Sequence, residues 1–142
     1  MQRRIVFLTS IALVAGFLAW GTVGADEKKG ATRPATTKHL MKGIVAPNCK
    51  ALAETLKANP SDDEAWEQAA MYAALLNEAH YILMADSRCP SGEWAGAAET
   101  LKGCSNGVLE KINAKDVKGA NAAFQAMMDA CKKCHKAHKK EK

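Results

Sequence analysis

Apolar residues recur along most of this chain at intervals of three and four, and no stretch shows the two-residue alternation of a strand. Four such stretches predict four helices. The first covers about residues 37–58, with Met41, Ile44, Val45, Cys49, Leu52 and Leu56 on one stripe. Pro47 lies inside it and should kink it or remove a backbone bond near Gly43. The second opens after Pro60 on a capping box, Ser61 with Glu64 three residues on, reinforced by Asp62 and Asp63. It continues through Trp66, Ala69, Ala73, Leu76, His80 and Leu83 to about Arg88, where Cys89-Pro90-Ser91-Gly92 breaks it. The third places Trp94, Ala98, Leu101, Cys104, Val108 and Ile112 on one face and ends near Asn113. The fourth starts around Asp116 as its cap, with Val117, Ala120, Phe124, Met127 or Met128, Cys131, Cys134, His135 and His138 along its stripe.

Four helices of similar length joined by short links predict an all-α fold, an antiparallel up-down-up-down four-helix bundle. The end of the fourth helix then lies beside the start of the first. Met41 and His135 each fall about one turn from a terminus and so share a level. The close of the second helix, with Tyr81, Leu83 and Met84, and the opening of the third, with Trp94, reach the same end and would wall a crevice there.

The N-terminus bears on destination. Arg3 and Arg4 precede an apolar run from Ile5 to Trp20, and Val23-Gly24-Ala25 supplies small residues, so residues 1–25 read as an export signal cleaved after Ala25. The run is short for a membrane span, and Asp26-Glu27-Lys28-Lys29 has no positive stop-transfer bias; an uncleaved anchor is the competing reading. No stable span is expected after cleavage, and the destination is an oxidising, periplasmic space. Residues 26–36 are charged, small or Pro and read as a disordered leader, residues 37–139 as the bundle, and residues 140–142 as a basic tail. Losing 25 of 142 residues leaves one domain of 117, and losing Arg3 and Arg4 takes the formal charge from +5 to +3. That charge does not call for nucleic acid.

Near the C-terminus, Cys131-Lys132-Lys133-Cys134-His135 is a C-x-x-C-H run, which reads as an attachment site for a c-type haem. Two thiols can form thioether bonds to the porphyrin edge while the adjacent imidazole reaches its iron. Positions 131, 134 and 135 share one helix face, so both sulfurs and the ring nitrogen can address one flat ring. The plainer alternative is a surface pair of thiols, disulfide-bonded or zinc-binding, followed by an incidental His. The cofactor expected is one covalently attached haem c. Lys132, Lys133, Lys136, Lys139, Lys140 and Lys142 surround the motif, either as a docking surface for an acidic redox partner or as a solvated helix end that suits the helix dipole. No nucleophile with its base, phosphate-binding Gly loop or second metal cluster is evident, so enzymatic catalysis is not expected.

With its haem motif near the C-terminus, the chain resembles the class II c-type cytochromes, the group of cytochrome c′ and the low-spin c556-like proteins; class I cytochromes c carry the motif near the N-terminus. The family opens its first helix with Met-Lys-x-Ile and a further apolar stretch, and this chain has Met41-Lys42-Gly43-Ile44, then Ala51-Leu52 and Leu56-Lys57. The resemblance covers residues 37–139, resting on helical pattern outside those runs. It implies haem thiols at Cys131 and Cys134, a proximal ligand at His135 and, as in the low-spin members, a sixth ligand at Met41. It also suggests a homodimer through the first two helices. Where the family follows its haem His with an aromatic and an Arg, this chain has His138 and Lys139, and lysine lacks the planar five-donor fork.

Met41 separates two functions. If it binds, the iron has no vacancy and the protein shuttles single electrons. If it packs in the core, as a Met on an apolar face commonly does, the iron stays five-coordinate and takes small gases such as nitric oxide or carbon monoxide. A haem-free structural or thiol-redox bundle is the third possibility. His39 lies about 200° round the helix from Met41, His80 reads as a hydrogen-bonded core or crevice-wall residue, and His138 as exposed or propionate-facing. Cys49, Cys89 and Cys104 form an odd set: Cys49 and Cys104 read as buried free thiols on diagonal helices, and Cys89 as available for pairing between molecules. The sequence therefore points to a periplasmic monohaem electron carrier, with Trp94 and Tyr81 among its crevice walls.

Overall fold

The computed structural model describes residues 29–89 and 91–138; the export signal read at 1–25, Pro90, Lys139 and the basic tail at 140–142 lie outside the described residues. Thr37–Leu40 (α1), a π-helical segment Met41–Val45 and Ala46–Lys57 (α2) follow one another without a break and form the first rod. Asp63–Met84 (α3), Gly92–Asn113 (α4) and Val117–His138 (α5) complete an all-α four-helix bundle. Among the described residues no helix is long and apolar enough to cross a membrane.

The ends of the helices carry their own explanations. Thr36 caps α1: its hydroxyl accepts from the His39 N–H at 3.2 Å, while His39 Nδ1 accepts from the Thr36 N–H at 3.3 Å, a capping box with His in the place usually held by Glu or Gln. Pro47 cannot donate to the Gly43 carbonyl and its ring crowds that carbonyl, and the disturbance takes the form of a π segment just upstream, where the Ala46 N–H bonds back to the Met41 carbonyl. The cap of α3 is Asp62 and not Ser61, because the Asp62 carboxylate reaches the Ala65 N–H at 2.8 Å. Ser91 caps α4 through the Trp94 N–H, and Asp116 accepts from the Gly119 N–H at 2.8 Å at the start of α5. Gly119 suits this cap, since an added Cβ would displace the Asp116 carboxylate.

Leu52, Leu56, Leu76, Val108, Ile112 and Met127 are sealed in the core, with exposures of 0–1%. α4 packs extensively on both α3 and α5, and α2 packs on α3 with a narrower contact to α5. On α4 the fully buried polar place belongs to Ser105, with Cys104 at the core edge; the Ser105 hydroxyl donates to the Lys102 carbonyl and accepts from Asn77 Nδ2. Adjacent helices run in opposite directions. Trp94, at the start of α4, donates its indole N–H to the Leu83 carbonyl at the end of α3 (3.4 Å), and Lys115, beyond the end of α4, pairs with Asp63 at the start of α3 (2.6 Å).

Two sequence expectations are corrected. α3 stops at Met84 and not near Arg88: Ala85 is extended, and Asp86 and Ser87 both sit in the left-handed region with φ of 61° and 60°. The described part of the leader, residues 29–36, is hydrogen-bonded to the loop after α3. The Ala31 N–H bonds to the Asp86 carbonyl, the Asp86 carboxylate accepts from the Thr32 and Arg33 N–H groups and the Thr32 hydroxyl, all at 2.8–2.9 Å, and Lys29 forms an isolated bridge with Thr36. Composition could not foretell this, because the partner is a loop more than fifty residues away.

Candidate functional site

One end of the bundle holds an apolar cleft of about 460 Å³, counted out to its open mouth. The rod contributes Met41 and Val45, α3 contributes Leu83, α4 contributes Trp94, Ala97, Ala98 and Leu101, and α5 contributes Ala130, Cys131, Cys134 and His135. Residues some ninety positions apart in sequence thus face one space because α5 returns its C-terminus beside the start of the rod. The alanines keep walls low where larger residues would fill the gap, and Trp94, 4% exposed, forms a rigid side braced by its hydrogen bond to Leu83 and an edge contact with the His138 ring at 5.4 Å.

Cys131 and Cys134, one turn apart on α5, are half-buried at the cleft, and His135 is exposed at its rim. Burial pushes the Cys131 thiol up to about 11, with the nearby thiols of Cys49, Cys134 and Cys104 adding to the rise. Burial also raises Cys134 and Cys49. The Cys49 thiol donates to Met128 Sδ at 3.3 Å, across the contact between α2 and α5. No disulfide joins any pair of the five cysteines, and the Cys89 thiol donates to the Ser91 carbonyl at 3.3 Å.

Other residues singled out from the sequence fall elsewhere. Tyr81 does not wall the cleft: it is 51% exposed, its ring set edge-on to His80 at 4.8 Å with the Lys102 ammonium 5.8 Å above it. Leu83, two residues and about 200° further round α3, takes the inward place, so both could not face the same space. Met84 is half-buried against the core. His80 is buried one layer behind the cleft wall, donating from Nδ1 to the Ala98 carbonyl at 2.7 Å, with Nε2 3.5 Å from the Glu99 carboxylate. Glu99 in turn is held below the usual carboxylate range, chiefly by its bond from Lys102. His39 is engaged in the α1 cap, and His138 rests on Trp94.

The arrangement brings paired thiols on one helical turn, an adjacent imidazole and a thioether-bearing side chain to one space lined largely by hydrocarbon. Among the described residues no group of three or more His, Cys, Asp or Glu is gathered as a metal site. No protein-family model matches the chain, and no curated protein or solved structure matches it. Sequence reasoning named Met41, Cys131, Cys134, His135, Leu83 and Trp94 at this end and missed Val45, Ala97, Ala98, Leu101 and Ala130. Alanine and valine carry no chemical signature; only their helical register relative to Met41, Trp94 and Cys131 could have pointed to them.

Proposed function

We propose that this chain is an exported, single-haem c-type cytochrome of the class II kind that passes one electron at a time between redox proteins. The observation that carries the proposal is the meeting of the Met41 thioether with Cys131, Cys134 and His135 around one apolar cleft. Cys131 and Cys134 would hold haem through thioether bonds, His135 would be the proximal ligand and Met41 the distal one. The haem iron supplies a reversible one-electron change. The polypeptide's part is to fix the ring, exclude water with Val45, Leu83, Leu101 and Trp94, and offer a thioether, a ligand that favours the reduced state. Lys42 from the π segment and Lys133 and Lys136 from α5 are exposed around the same end, a charge pattern that speeds encounter with an acidic partner.

The raised thiols of Cys131 and Cys134 count against thiol-redox chemistry. A C-x-x-C oxidoreductase depends on a readily formed thiolate, and burial here opposes one. The test is the absorption spectrum of the full chain exported in cells that carry haem-attachment machinery. The expected product is coloured and low-spin, with a methionine-to-iron charge-transfer band that Met41→Ala abolishes. A high-spin product that binds carbon monoxide without mutation would favour the gas-binding alternative, and a colourless one would overturn the proposal.

A further inference from the structure

Arg88 is an unexpected side chain to find sealed from water, at 1% exposure, in a bundle with a hydrocarbon core. Its guanidinium is spent almost wholly on main-chain oxygens. Nε and Nη2 donate to the Ala35 carbonyl at 3.3 and 3.2 Å, and Nη1 donates to the carbonyls of Ala85 at 3.3 Å and Ile82 at 3.5 Å. The charge is offset by Asp86, whose carboxylate lies 3.4 Å from Nη2 and also gathers Thr32 and Arg33. One planar fork therefore ties the residue just before the α1 cap to the last turn of α3, which a lysine's single ammonium could not span in the same way.

What this tie controls follows from how the rod is supported. The π segment buries none of its own residues, and α1 and the π segment rest mainly on α3. The cleft opens between this part of the rod and α5. Met41 is six residues beyond Ala35 along the rod, and Leu83 is the residue after Ile82 on α3, so Arg88 joins the backbone leading to one lining segment of the cleft to the backbone beside another. Two consecutive non-glycine residues in the left-handed region, Asp86 and Ser87, are the local cost of bringing the fork into position. Gly30 makes the close approach possible from the other side, since a Cβ there would collide with the Asp86 carboxylate and the Arg88 guanidinium.

We infer that Arg88 is a positioning residue for Met41, holding the start of the rod, with Asp86 and the Gly30–Arg33 strap, at the spacing that keeps the thioether in the cleft. The inference rests on the proposed haem reading for its consequence at iron, but the clamp itself can be measured without it. The exported chain, as purified, is compared with Arg88→Lys and Gly30→Ala, and with Ile112→Val as a control that loosens the far end of the core. Amide exchange at His39 and Leu40 is expected to rise on the order of tenfold in both clamp variants, the scale of losing a hydrogen bond to a charged group, and to stay unchanged in the control. The methionine-to-iron band is expected to weaken, and carbon monoxide to bind on the order of tenfold faster, in the same two variants only. Unchanged exchange at those amides overturns the inference whatever the chain carries. A full methionine band in both clamp variants, in a protein where Met41→Ala abolishes it, overturns the inference and leaves the cytochrome reading standing. A wild-type chain without haem overturns that reading while the exchange data still decide the clamp.

Discussion

Replacing Trp94 by Ala and by Phe separates what its ring contributes by area from what its indole N–H contributes. The side chain is 4% exposed, lines the cleft, and donates to the Leu83 carbonyl at 3.4 Å. Removing a buried aromatic side chain of this size forfeits roughly 150 Å² or more of burial, about 4 kcal/mol at ~25 cal/mol per Å², in the range seen for buried Trp→Ala changes. Phenylalanine restores most of the area but not the hydrogen bond, so Trp94→Phe should cost only about 1–2 kcal/mol. The assay is urea denaturation of the exported chain, with the midpoint and the slope both fitted so that a change in the unfolded state is recognised. In a domain of this size Trp94→Ala should also lower Tm by roughly 10–20 °C. A loss below about 1 kcal/mol for Trp94→Ala, or a Trp94→Phe loss as large as that of Trp94→Ala, would refute the packing, and a Trp94→Phe variant as stable as the wild type would refute the hydrogen bond.

Burial pushes the Asp86 carboxyl up, but the hydrogen bonds from Thr32 and Arg33 and the charge of Arg88 outweigh that and hold it below the usual aspartate range. Its contribution to the strap is therefore complete above about pH 4, the unfolded carboxyl's value, and lost as pH falls through the lower folded value; amide resonances of Thr32 and Arg33 that shift only above pH 4 would contradict this. For Cys131, held near 11 in the haem-free chain, alkylation by iodoacetamide should accelerate as pH rises toward 11, and a rate that levels off by about pH 8.5 would show an unburied thiol. Gly103 is exposed in α4 with no heavy atom within 4 Å of an added Cβ, so Gly103→Ala should stabilise by about 0.5–1 kcal/mol, read as a higher urea midpoint at constant slope.

The features legible in the sequence were those with a local cause. The 3.6-residue rhythm of Leu52, Leu56, Ala69, Ala73, Leu76, Val108 and Phe124 is written into the chain, and so is the shared face of Cys131, Cys134 and His135. Antiparallel order then brings Met41 near them without further information. Tyr81 was misplaced because residues near one end of a helix were grouped by level and not by angle, and Leu83 holds the inward side. The α3 cap slipped by one residue because Ser61 and Asp62 both suit the position and only the bond to Ala65 decides between them. The Arg88 clamp was hidden for a different reason. An Arg at the end of a helical stretch, just before the Cys-Pro-Ser-Gly break, resembles a solvated residue, and both its partner Ala35 and the Thr32 bonds to its counter-charge Asp86 are supplied by tertiary structure alone.

Intact mass and spectrum of the exported protein, made where haem attachment can occur, test the central claim most directly. The account predicts a red protein heavier than its cleaved polypeptide by one haem, bonded through both Cys131 and Cys134, so that Cys131→Ala leaves a single thioether and a shifted haemochrome band. A colourless protein whose mass equals that of the polypeptide alone would contradict it.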